Sequence, residues 1–124
     1  MGILQDMKDS SIGLEALLNL NGQIFIMNKL YWVKMEAYKV TSTKHIPHGI
    51  RYSLTLHDSN NTRVLGYDNA HSIKLKRKRF SGTKTTWDHI HKKDRIENYE
   101  FETAAQLLED FWADVDKHVK QEKR

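Results

Sequence analysis

From Tyr31 to Val40 the chain alternates. Tyr31, Val33, Met35 and Ala37 fall on one face of an extended segment, and Trp32, Lys34, Glu36 and Tyr38 on the other. A strand with one apolar face must bury it against another element. The pattern recurs from Tyr52 to His57, with Tyr52, Leu54 and Leu56 inward and Ser53, Thr55 and His57 outward. Asp58-Ser59-Asn60-Asn61 is turn chemistry, and Arg63-Val64-Leu65-Gly66-Tyr67 returns as the second arm of a hairpin. Thr85–His91 and Arg95–Phe101 are weaker strand candidates. Near the start, Leu14, Leu17, Leu18 and Leu20 suit one face of a short helix, while Asn21-Gly22 before Gln23-Ile24-Phe25-Ile26-Met27 is a hairpin signal. Periodicity leaves both readings open there.

The cover for such a sheet stands at the C-terminus. Thr103-Ala104-Ala105-Gln106 is a capping box, and Ala104, Leu108, Phe111, Val115 and Val119 form one apolar stripe. Glu109, Asp110, Asp114 and Asp116 lie mostly off that stripe, and cations gather where the macrodipole favours them. A helix over about 103–120 is expected. The fold class is therefore α+β: an antiparallel sheet of about four to six strands packed by a C-terminal amphipathic helix. A chain of 124 residues suits a single domain over 1–124, with 1–11 loosely held. No apolar run approaches a membrane span, and Met1-Gly2-Ile3-Leu4-Gln5-Asp6 lacks the basic and apolar regions of a signal peptide. The absence of cysteine excludes disulfides, thiolate chemistry and zinc ribbons. A cytoplasmic protein without membrane contacts is the expectation.

Charge is distributed unevenly. His71 to Arg95 holds nine cations against two anions, whereas Glu102 to His118 holds five carboxylates against one lysine. Within the basic stretch, Lys74, Lys76, Arg77, Lys78 and Arg79 form a phosphate-affine strip, continued by Lys92, Lys93 and Arg95. Phe80 and Trp87 add surfaces for stacking bases. The plainer alternatives are a solvated basic loop or a lysine-blunted edge strand.

Three further places carry candidate chemistry. His89 and His91 share a strand face, with Asp88 and Ile90 on the other. Two imidazoles so placed suit general acid and base, phosphate binding or metal ligation; equally, they make a simple surface pair. Asp68 and His71 follow Gly66 at a strand end, as site residues or as a turn cap and a hydrogen-bonding side chain. Arg51 can clamp a phosphate bidentately or pair with a carboxylate. The site is read without metal or cofactor, since a His-x-His pair fixes no third ligand.

In order along the chain, Tyr31-Trp32-Val33-Lys34-Met35-Glu36, Pro47 to Asp58, Leu65-Gly66-Tyr67-Asp68-Asn69-Ala70-His71, Trp87-Asp88-His89-Ile90-His91, Tyr99-Glu100-Phe101 and Gln106 to Trp112 resemble the TumE toxins of type II toxin–antitoxin modules. The resemblance runs from about Leu14 to Val119. It implies a growth-inhibiting toxin neutralised by a protein antitoxin of helix-turn-helix type. Among small basic toxins of this kind the usual chemistry is endoribonucleolytic cleavage, on or off the ribosome. Metal-independent cleavage needs a base for the 2′-OH, an acid for the leaving oxygen and cations at the phosphate. His89 and His91 are candidates for the first two roles. Arg51, Lys76, Arg77 and Arg79 would steady the phosphorane, with Asp68 or His71 orienting a partner. Two other readings compete: a non-enzymatic RNA-, ribosome- or DNA-binding module, and a metal-dependent nuclease using Asp68, Asp88, His89 or His91.

Overall fold

A computed structural model describes residues 12–70, 87–93 and 95–122. Helix α1 (12–19) precedes β1 (Gln23–Ile26), β2 (Tyr31–Lys39), β3 (Ile50–Asp58), β4 (Arg63–Asp68), β5 (His89–Lys92) and β6 (Arg95–Asn98), and α2 (Ala104–Glu122) follows. The six strands form one antiparallel sheet in the order β1-β2-β3-β4-β5-β6, each beside its chain neighbour. The α+β expectation therefore holds at its upper strand count.

One face of the sheet carries Val33, Met35, Ala37, Tyr52, Leu54, Leu56, Leu65, Tyr67 and Ile90, which join Leu17 of α1 and Ala104, Leu107, Phe111 and Val115 of α2 in the core. Both described helices lie on that face. They also touch each other: a Cβ built on Gly13 would come within 2.9 Å of the Ala105 backbone nitrogen, so only glycine lets α1 approach α2 this closely. No helix among the described residues is long and apolar enough to cross a membrane.

Local chemistry explains the boundaries. Of the two readings of the leucine-rich start the helical one holds, and Asn21-Gly22 is not the turn of a hairpin. Leu14 to Leu18 are helical, and Gly22, at φ 84°, ends the helix in the left-handed region. The Asn21 side chain then accepts from the Ala37 N–H at 3.0 Å, tying this turn to β2. The β1–β2 hairpin turn lies further on, where Asn28 Oδ1 accepts from the N–H groups of Leu30 and Tyr31 at 2.7 and 3.0 Å. Between β3 and β4 the expected turn is present: Asp58 Oδ1 accepts from Asn60 and Thr62, and Asn61 adopts φ 66°.

Helix α2 begins as its sequence dictates, with the Gln106 N–H donating to Thr103 Oγ1 at 3.1 Å. The Gln106 side chain reaches one residue further back than a capping box prescribes, accepting from the Glu102 N–H at 2.8 Å. The buried stripe is centred on Leu107 rather than Leu108, because Ala104, Leu107, Phe111 and Val115 point at the sheet. Two of the acidic residues are also engaged there. Asp114 Oδ2 accepts from the Tyr67 hydroxyl at 2.5 Å and Asp110 Oδ2 from Tyr99 at 2.7 Å. Burial, and then these carboxylates, push both phenols well above their ordinary range, which keeps them as donors.

Candidate active site

The opposite face of the sheet gathers several of the candidate residues. In β3–β4 pairing Ser53 stands beside Asp68 and Thr55 beside Gly66; in β4–β5 pairing Asp68 stands beside His89 and Gly66 beside His91. Directly paired residues share a face, so Asp68, His89 and His91 converge on the side away from α1 and α2. The expected division of β5 is observed, with Ile90 in the core. His89 Nε2 lies 2.8 Å from Asp68 Oδ1, and His91 Nε2 lies 3.3 Å from Asp68 Oδ2. The two imidazole rings meet edge to face, 4.5 Å between centroids.

His89 Nδ1 lies 2.6 Å from the Trp87 carbonyl, which only accepts, so Nδ1 carries a proton. His89 Nε2 in turn lies 2.8 Å from Asp68 Oδ1, so both ring nitrogens of His89 are engaged. Burial alone would raise the Asp68 carboxyl. The hydrogen bond and charge of His89, the Ala70 N–H and the charge of His91 outweigh it and hold Asp68 below the usual carboxylate range. Burial lowers His91, and although Asp68 opposes this, the charges of His89 and Arg63 add to the drop.

The approach to β5 is fixed from both sides of the sheet. Asp88 points away from the cluster and accepts the Tyr52 hydroxyl at 2.7 Å, both groups being buried. Trp87 lies flat on His45, 4.7 Å between centroids and 8° from parallel, and its N–H donates to the His45 carbonyl. One face of Trp87 is thus occupied within the chain. Arg51, two residues before Ser53, shares the Asp68 face, and its buried Nε has no hydrogen-bond partner among the described residues. Lys92 falls on the helix-bearing face and pairs with Glu97 at 3.7 Å, while Lys93 is exposed beyond the strand. His71, Lys74, Lys76, Arg77, Lys78 and Arg79 lie outside the described residues.

Arg63 is the site neighbour that sequence reasoning missed. Strict alternation with Leu65 and Tyr67 would put it in the core. A bulge at Leu56/His57 instead pairs Arg63 with His57 on the cluster's face. Its side chain lies over Gly66, where an added Cβ would meet Arg63 Cδ at 3.3 Å.

A carboxylate and two imidazoles presented on adjacent strands can move a proton, bind a phosphate or hold a cation. No curated protein and no solved structure matches the chain. The family model described as Toxin TumE matches residues 6–119, nearly the whole length, and the chain belongs to that toxin family.

Proposed function

We propose that the chain is the toxin of a type II toxin–antitoxin module, acting in the cytoplasm as an endoribonuclease, with Asp68, His89 and His91 as its reaction centre. The observation that carries the reading is the convergence of these three groups on the helix-free face of the described sheet, 2.8 and 3.3 Å apart. Scattered surface histidines would not share one carboxylate.

The roles follow from the bonding. His91, donating Nε2–H to Asp68, keeps its Nδ1 lone pair to accept the 2′-OH proton of RNA. Asp68 sets the tautomer of His91, and His89, with both nitrogens engaged, is a positioning residue rather than the general acid. Arg51 Nε, buried and unpartnered among the described residues, is the group best suited to meet a phosphate oxygen. The basic strip Lys74–Arg79, with Lys93, supplies sequence-independent affinity for the RNA backbone. A protein antitoxin, of helix-turn-helix type by the family resemblance, would neutralise the toxin by covering this surface.

The test is in cells. Induced wild-type chain is expected to arrest growth and fragment cellular RNA, and co-expressed antitoxin to relieve both. The His89→Ala/His91→Ala double variant, at equal soluble level, is expected to do neither. Arrest and fragmentation undiminished in the double variant would overturn the assignment of the reaction centre. Arrest with intact RNA would overturn the nuclease reading in favour of a binding module.

A further inference from the structure

The cluster supplies a proton acceptor but no electrophile, because both ring nitrogens of His89 are already engaged. We propose that Asp68, His89 and His91 form a binding site for one divalent first-row transition ion, Zn²⁺ by first choice. Four observations carry this.

The donor atoms of the three residues all lie within 4.8 Å of one another. Ligands about 2.1 Å from a tetrahedral Zn²⁺ stand about 3.4 Å apart. The carboxylate–imidazole separations are already 2.8 and 3.3 Å, so modest side-chain rotation closes the set. Second, the His89 Nδ1–H bond to the Trp87 carbonyl is the outer contact that aims Nε2 at a metal and fixes its tautomer. Third, Nε2 of His89 and Oδ1 of Asp68, both able to act as ligand atoms, face each other only 2.8 Å apart, where one cation can engage both. Fourth, the ligands stand on paired strands, Asp68 opposite His89 and Gly66 opposite His91, so the backbone holds them in place before any ion arrives.

Three protein ligands leave positions for water or substrate, as catalytic metal sites do. Two imidazoles favour Zn²⁺, Ni²⁺ or Cu²⁺ over Mg²⁺, which prefers oxygen ligands. The inference shares its residues with the proposed nuclease centre, but binding stands independently of what the centre cuts. An ion held there would engage His91 as a ligand and would supply Lewis-acid polarisation of a phosphate oxygen and a bound water of lowered pKa, in place of the His91 base.

The experiment titrates Zn²⁺ into the chelator-treated full-length chain by calorimetry, with Co²⁺ visible absorption as a spectroscopic check. One ion per chain is expected. His91→Ala and Asp68→Asn should each weaken binding by more than about a hundredfold, since outer-shell contacts alone are worth about 10- to 100-fold. His118→Ala, on α2, should leave binding unchanged. Circular dichroism confirms folding, and His91→Gln, which retains size, stands in if His91→Ala unfolds. A wild-type chain that takes up no Zn²⁺, or ligand variants that bind as wild type does, would overturn the site. RNA cleavage in the same samples separates the two proposals. No Zn²⁺ taken up while RNA is still cut sinks the metal and keeps the nuclease; one bound ion with RNA intact sinks the nuclease and keeps the metal.

Discussion

Replacing Tyr52 by Phe removes one oxygen from the centre of the structure and leaves the ring in place. Tyr52 is 1% exposed, Asp88 is 4% exposed, and the hydroxyl donates to Asp88 Oδ1 over 2.7 Å. Burial, then the adjacent carboxylate, push the phenol well above its ordinary range, which keeps it a donor. Hydrogen bonds to charged groups contribute about 1.5–3 kcal/mol, and little cavity forms, so the expected loss is about 2 kcal/mol. That is about a 30-fold shift in the folding equilibrium and on the order of 1 M in urea midpoint. Tyr99→Phe provides the internal comparison. Its hydroxyl also donates to a carboxylate at 2.7 Å, but from a half-buried position, and the expected loss is about 1 kcal/mol or less. Both are measured by urea unfolding followed by tryptophan fluorescence. In a double-mutant cycle, Tyr52→Phe and Asp88→Asn should couple by more than about 1 kcal/mol. A Tyr52→Phe protein within about 0.5 kcal/mol of wild type would refute the claim that this bond anchors the start of β5.

Two other predictions concern the core and the pH response. Leu107→Ala should cost about 2–5 kcal/mol, and Leu108→Ala clearly less, because Leu107 is fully buried and Leu108 half-exposed; equal losses in denaturant titrations would contradict the observed stripe. His57 stacks on Trp32, and burial, followed by the charges of Arg63 and Lys34, holds its pKa below 6.5. In the window below 6.5 the unfolded chain therefore binds more protons than the folded one, so this residue's contribution is present above pH 6.5 and lost as pH falls toward the folded value. His57→Gln should flatten the decline of melting temperature on acidification from pH 7 to about 5; a decline as steep as wild type would show that His57 plays no part.

The parts of the fold that were legible are those where one local rule governs a run of residues. The alternation from Tyr31 to Lys39 gives β2, the Asp58 turn gives the β3–β4 hairpin, and Thr103 with Gln106 marks the start of α2. The weaker candidates Thr85–His91 and Arg95–Phe101 yield β5 and β6 as only four residues each. What escaped local reading depends on pairing between strands. The bulge at Leu56/His57 reverses the face of Arg63, and no residue of Arg63–Tyr67 announces it. Asn21-Gly22 carries a hairpin signature yet closes a helix, because the choice rests on the contact with Ala37. Asp68, His89 and His91 were each visible as candidates. That the carboxylate lies between the two imidazoles follows only from β4 meeting β5 in the Asp68–His89 register, across twenty intervening residues.

The central claim, that this cluster cuts RNA, is tested most directly by the cleavage rate of an end-labelled RNA with purified chain. Wild type and His91→Ala are assayed in parallel, in EDTA and with Zn²⁺ or Mn²⁺ added. The account predicts cleavage by wild type in at least one of these conditions. It also predicts a fall of about 10²-fold or more for His91→Ala at unchanged melting temperature. RNA left intact by wild type in every condition, or cut equally fast by a folded His91→Ala protein, would contradict it.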